Sequence, residues 1–204
     1  LLIVAGARPN FMKIAPLIHK IKKFNNLSYK LVHTGQHYDY KMSETFFIDL
    51  DIHEPDYFLD VGSGTHAEQT GKIMVAFETV CIEYKPDFIL VVGDVNSTLA
   101  CSITAKKLNI KVAHIEAGLR SNDLTMPEEI NRLVTDSISD LFFITENDAY
   151  NNLINEGVSK DKIYNVGNLM IDTLHYGLDK IKSKDRFYDK PYGVITLHRP
   201  ANVD

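Results

Sequence analysis

The run Phe88-Ile-Leu-Val-Val92 is apolar at every position, and Leu141-Phe-Phe-Ile-Thr145 is nearly so. A strand with one solvated face alternates polar and apolar residues. An unbroken apolar run needs cover on both faces, the situation of parallel strands sandwiched between helices. Short apolar, β-branched runs, several of them apolar on nearly every residue, predict strands at Leu1–Ala5, Tyr29–Thr34, Tyr57–Val61, Phe88–Val92, Lys111–Ile115, Leu141–Thr145 and Ile163–Val166. Between them the apolar residues recur at three- and four-residue spacing, as in Phe11, Ile14, Ala15, Ile18 and Ile21, and again in Ile73, Phe77, Val80 and Tyr84. Pro16 is expected to kink the first of these helices or to mark its first turn. Strand and helix in repeated alternation predict an α/β fold, a doubly wound parallel sheet. Its right-handed crossovers bring the loops at the carboxyl ends of the strands onto one rim.

After a helix expected around Leu169–Ile181 the pattern changes. Lys182–Pro191 is charged and poorly periodic, as a linker is, and Tyr192–Leu197 then reads as a strand. The expected organisation is one domain over residues 1–182, a linker over 183–191, and the first strand and loop of a truncated second domain over 192–204. Leu1 opens directly in a strand without an initiator Met, so the chain is expected to be a piece of a longer product.

Charge and composition exclude several classes. Against 22 Lys and Arg stand 27 Asp and Glu, a net charge of −5 with no basic run, which disfavours nucleic acid as a partner. No apolar stretch approaches the roughly 20 residues of a membrane helix. The opening Leu-Leu-Ile-Val-Ala breaks at Gly6 and reads as a buried strand, not a signal peptide. Cys81 and Cys101 lack metal-ligand spacing and are expected to be reduced core residues of a cytoplasmic protein.

The rim carries the chemistry. The first turn, Gly6-Ala-Arg-Pro-Asn-Phe-Met-Lys13, has one glycine where a dinucleotide fingerprint has three, so a nicotinamide cofactor is disfavoured. Pro9 pre-sets a helix start, and Arg8 and Lys13 put positive charge beside a helix amino terminus, a place for a diphosphate or simply for solvated charge. At the next strand end stand Gln36 and His37, as apt for structure as for ligand, while His33 is expected to be packed. Thr65 and Glu68 have the spacing of a capping box. Asp94 follows the apolar run at Phe88–Val92, and Glu116 follows that at Lys111–Ile115. One such carboxylate is readily a helix cap; two in succession are harder to explain that way. Gly118 permits close backbone approach, and Arg120 adds positive charge. Pro127 suits the first position of a helix, placing Glu128 and Glu129 in its first turn. There they complement the helix dipole, or else Glu128 stands ready as a base. Asp94, Glu116 and Glu128 are thus expected to converge on one rim.

Taken together, Gly6-Ala-Arg-Pro9 with Lys13, Gln36-His37, Gly93-Asp94, His114-Ile-Glu-Ala-Gly-Leu-Arg120, Pro127-Glu-Glu-Ile-Asn-Arg132 and Leu197-His-Arg199 resemble the non-hydrolysing UDP-N-acetylglucosamine 2-epimerases, in order and spacing over essentially the whole chain. The resemblance implies a Rossmann-like domain, the amino-terminal half of a two-domain GT-B fold with its active site in the interdomain cleft. It implies interconversion of UDP-GlcNAc and UDP-ManNAc without metal or other cofactor. Asp94, Glu116, Glu128 and His198 would then be catalytic, with Arg8, Lys13, Gln36, His37, Arg120 and Arg132 on the substrate. The implied partners are the UDP-sugar, a carboxy-terminal domain and a second copy of the chain. The fragment alone would be inactive. A GT-B glycosyltransferase half-domain and a hydrolysing 2-epimerase are the alternatives; Pro9 and Lys13 favour the non-hydrolysing branch.

Overall fold

The computed structural model describes residues 1–35, 46–181 and 190–195. Within them, strands β1 (Leu2–Ala5), β2 (Lys30–His33), β3 (Tyr57–Phe58), β4 (Phe88–Val92), β5 (Lys111–Ile115), β6 (Leu141–Ile144) and β7 (Ile163–Asn165) form one sheet in the order β3-β2-β1-β4-β5-β6-β7. Every pairing is parallel. The helices are α1 (Arg8–Ile21), α2 (His66–Tyr84), α3 (Asn96–Lys107), α4 (Pro127–Ile138), α5 (Asn147–Asn155) and α6 (Leu169–Ile181).

The wholly apolar runs are explained by the two faces they serve. In β1, Leu2 and Val4 join Ile73 and Phe77 of α2 with Ile89 and Val91 of β4. Ile3 and Ala5 point the other way, to Phe11, Ile14 and Ile18 of α1. Beyond β5 a third cluster gathers Phe142, Ile144, Ala149 and Leu153. Chain order reverses between β1 and β4, where β2 leads off to one side and β5 to the other. Such a switch point opens a crevice at the carboxyl ends of its strands.

Three local expectations change. The run Tyr57–Val61 is a two-residue strand, because Asp60 takes a left-handed φ of 47° and breaks the pleat. Its ladder nevertheless continues, from Leu59 N–H to His33 O and from Val61 N–H to Thr34 O. Pro16 lies in the middle of α1, which runs unbroken from Arg8 to Ile21; Pro9 occupies the first turn. Having no N–H, Pro16 cannot bond the carbonyl four residues back. That carbonyl, Met12 O, instead accepts from the Thr173 hydroxyl of α6. Finally, residues 191–195 carry no strand, and Val194 and Ile195 are exposed.

The Thr173 bond gives a direct prediction. Thr173→Val keeps the shape but orphans the Met12 carbonyl, at a cost of about 1–2 kcal/mol in urea denaturation. In a Pro16→Ala background the helix bonds that carbonyl itself, and the cost of Thr173→Val should largely vanish.

The Thr65 capping box is present: Glu68 N–H donates to Thr65 Oγ1 at 3.2 Å, and Thr65 N–H donates to Glu68 Oε2 at 3.0 Å. Cys81 and Cys101 are free and buried, and burial pushes the Cys81 thiol up to about 12. Among the described residues no helix is long and apolar enough to cross a membrane.

Candidate active site

The β1–α1 turn is built by Asn10, which the sequence reading overlooked. Its Oδ1 accepts from the N–H groups of Gly6 and Ala7, at 3.0 and 2.9 Å. Its Nδ2 donates to Val92 O at the end of β4. One buried amide thus ties both sides of the switch point together. On the next turn of α1, Lys13 Nζ lies 2.5 Å from Glu116 Oε2, both side chains largely shielded. Glu116 itself follows β5 in a left-handed conformation, φ 65°, rare for a residue with a side chain.

Gly93 sits between these groups. A Cβ there would lie 3.5 Å from both Glu116 Oε2 and Lys13 Nζ, so space alone does not require glycine; its φ of 69° does. Asp94, the next residue, does not cap α3. The cap position belongs to Val95, with no side-chain bond. Instead the Asp94 carboxylate meets Arg132 Nη1 at 2.6 Å, and Asp94 O accepts from Asn131 Nδ2 at 2.8 Å. Lys13, Asp94 and Glu116 are therefore brought to one rim, each acid beside a cation of the same domain.

Helix α4 supplies the second layer. Glu129, 1% exposed, accepts from the N–H groups of Ser121 and Asn122 and pairs with Arg132 at 2.6 Å. Burial opposes its charge, but the Ser121 N–H, the Arg132 guanidinium and the Asn122 N–H together outweigh it and hold its pKa at about 2. Arg132 is thereby fixed on one side and presented to Asp94 on the other. Glu128 is exposed in the first turn of α4. Being four residues before Arg132, it shares the helix face that reaches Asp94.

Arg120, expected on the substrate, is engaged within the protein. Its side chain is 4% exposed and lies 2.8 Å from Asp136 and 2.6 Å from Glu156. Its role here is to hold the loop after β5. Gly118 does allow close approach, but to α5: a Cβ at Gly118 would fall 2.5 Å from Ala149 O. Asp136 also accepts from Gly118 N–H and from His114 Nδ1, the latter at 2.6 Å. Against the cost of burial, His114, Arg120 and the Gly118 N–H lower the Asp136 pKa. His33 is buried, with Nδ1 accepting from Gly35 N–H. Arg8 is exposed at the first position of α1. Gln36, His37 and His198 lie outside the described residues. Among the described residues no group of three or more His, Cys, Asp or Glu is placed to hold a metal.

Sheet order and rim together define a Rossmann-like domain whose ligand crevice lies at the carboxyl ends of β1 and β4. The family model for UDP-N-acetylglucosamine 2-epimerase matches residues 19–204, and the chain belongs to that family. The UDP-N-acetylglucosamine 2-epimerase of Methanocaldococcus jannaschii is 45% identical over 211 residues, covering 99% of this chain and 57% of the relative. The UDP-2,3-diacetamido-2,3-dideoxy-D-glucuronate 2-epimerase of Pseudomonas aeruginosa is 44% identical, covering 100% of this chain and 58% of the relative. The chain thus spans a little over half the length of these curated relatives. The crystal structure of the Methanocaldococcus jannaschii enzyme in complex with UDP-GlcNAc and UDP superposes with a TM-score of 0.87 at 44% identity, over 90% of this chain and 51% of that one. The Neisseria meningitidis enzyme bound to UDP-GlcNAc gives 0.85 at 36% identity, over 89% and 49%. A lipopolysaccharide galactosyltransferase, 16% identical with a TM-score of 0.59, shares the fold alone. The expected Rossmann-like, GT-B type architecture is met.

Proposed function

We propose that this chain forms one wall of a non-hydrolysing UDP-GlcNAc 2-epimerase, which interconverts UDP-GlcNAc and UDP-ManNAc through elimination and re-addition of UDP. The observation that carries this reading is the pairing of two rim carboxylates, Asp94 and Glu116, each with its own cation at the switch point. The hydrogen at carbon 2 of the sugar has no neighbouring carbonyl to acidify it. When the C1–O bond breaks, its electron pair leaves with UDP, and carbon 1 becomes oxocarbenium-like. Loss of the C2 proton to a carboxylate then gives 2-acetamidoglucal. Returning a proton to the opposite face of carbon 2, and the UDP oxygen to carbon 1, completes the inversion. Two faces require proton carriers on two sides, which is the use of more than one acid. Carboxylates positioned for such transfer contribute about 10²–10⁴-fold.

On this reading Arg8 and Lys13 face the diphosphate, with Gln36 and His37 on the neighbouring loop, and Glu128 joins the two paired acids. Arg132 acts by holding Asp94. His198 and a carboxy-terminal domain close the other side of the cleft and keep water from the cation. Two copies associate through this domain. Elimination and re-addition move a proton and a leaving group but no hydride, so this route calls on no nicotinamide.

The test is NMR of the full-length gene product with UDP-GlcNAc in deuterated water. Deuterium at carbon 2 of UDP-ManNAc, with no acceptor present, is the expected result. Release of free ManNAc and UDP would favour the hydrolysing alternative, and turnover only with an added acceptor would favour a glycosyltransferase. The similarity to the Pseudomonas aeruginosa enzyme supports a second reading of the sugar. UDP-2,3-diacetamido-2,3-dideoxy-D-glucuronate offered in the same assay discriminates the two by kcat/KM.

A further inference from the structure

His114 belongs to β5 and is fully buried, with 0% exposure. Its Nε2 lies 2.8 Å from the carbonyl oxygen of Gly93, and its Nδ1 lies 2.6 Å from Asp136 Oδ1. A carbonyl only accepts, and so does an ionised carboxylate, so both ring nitrogens must donate. Only the imidazolium does that. The remaining Asp136 oxygen is bonded to Gly118 N–H and Arg120, so the carboxylate is fixed from its far side as well. Burial works against a charged His114, yet Asp136, the Gly93 carbonyl and nearby Glu116 raise its pKa above the ordinary value.

Gly93 occupies a left-handed turn that glycine enters and leaves easily. Immediately after it stands Asp94. We propose that His114, held by Asp136, is a positioning residue that clamps the Gly93 carbonyl and so fixes the direction of the Asp94 carboxylate. Three side-chain anchors then act on two residues, beside the backbone bond from Gly93 N–H to Ile115 O: His114 on Gly93 O, Asn131 on Asp94 O, and Arg132 on the Asp94 carboxylate. Of these side chains, His114 alone belongs to a strand of the sheet. A charge-assisted bond is roughly twice as strong as a neutral one, which suits a clamp on a glycine turn. The proposal rests on the epimerase reading in one respect, that Asp94 is a reacting group.

The experiment compares His114→Phe, His114→Gln and Asp136→Asn in the full-length enzyme, with wild type in the same assay. A misplacement of an ångström at a reacting group costs about 10²-fold, so His114→Phe is expected to lower kcat by that factor while KM changes less than about threefold. The Gln amide can still donate to Gly93 O, and about a tenfold share of the loss should return. Asp136→Asn should fall between them. Nitrogen-15 NMR of labelled histidine should show both His114 ring nitrogens protonated in wild type at neutral pH. Folded variants with wild-type kcat and only a lower Tm would overturn the proposal, leaving His114 a packing residue. A ring nitrogen without a proton at neutral pH would overturn it too. Should His114→Phe not fold, the Gln and Asn variants carry the same decision. A wild type that fails to epimerise counts against the proposed function, and the ring protonation then decides the clamp separately.

Discussion

Asp94→Asn in the full-length enzyme is expected to slow epimerisation by about 10³-fold while UDP binds within about threefold of wild type, and Glu116→Gln is expected to do the same. The asymmetry follows from what each substitution leaves behind. Arg132 keeps Glu129, 2.6 Å away, when Asp94 loses its charge. Lys13 retains an oxygen acceptor when Glu116 becomes Gln. Neither change opens a cavity, so the rim should persist and hold the nucleotide. On the proposed mechanism, what disappears is the negative charge beside the developing cation and a place for the proton. Steady-state kinetics with isothermal titration of UDP separate the two quantities. An equal loss of affinity would make these acids scaffolding.

The second large effect is on stability. Asp136→Ala should destabilise the domain by about 3–5 kcal/mol, because it strands two buried cations that share one carboxylate. Asp136 is 2% exposed, with His114 at 2.6 Å and Arg120 at 2.8 Å. Arg120 retains Glu156 but cannot shed its proton; His114 can. The pH dependence has a definite sign. The wild-type His114 pKa is raised above 6.5, so its contribution is full below that value and is lost as pH rises through the folded-state pKa. Without Asp136 the same ring is a buried cation without its counter-charge, and folding favours it neutral. The gap between wild type and Asp136→Ala in guanidinium denaturation should therefore widen from about pH 9 to about pH 6. A gap independent of pH would mean that His114 is neutral in the native state.

Much of this architecture is visible in the amino-acid order. Phe88–Val92 and Lys111–Ile115 are strands with the expected bounds, their short lengths and β-branched residues setting them apart from the longer helical segments. The positions of Asp94 and Glu116 follow, because both sit where a strand reaches the rim. What stayed hidden was the wiring beneath. Glu129, Arg132 and Asp136 recur at intervals of three and four along α4, a polar stripe turned inward. A helix inspected for its apolar stripe does not announce such a face. Glu128 drew attention as the first acid after Pro127, yet its neighbour Glu129 is the one that is buried and bonded. Arg120 invites a ligand role as a bare cation, but its carboxylate partners come from α4 and from Glu156 just beyond α5, distant in sequence. Pairings between separate elements carry no local signature.

The left-handed backbone at Glu116 has a consequence for anyone breeding a hardier version of this domain. Asn or Gly enters that conformation with less strain, so the easiest routes to a higher melting temperature include discarding the acid. A heat-challenge screen blind to turnover would reward that exchange. On the proposed function, position 116 is where hardiness and chemistry pull apart, and a library built around it must be sorted by product formed.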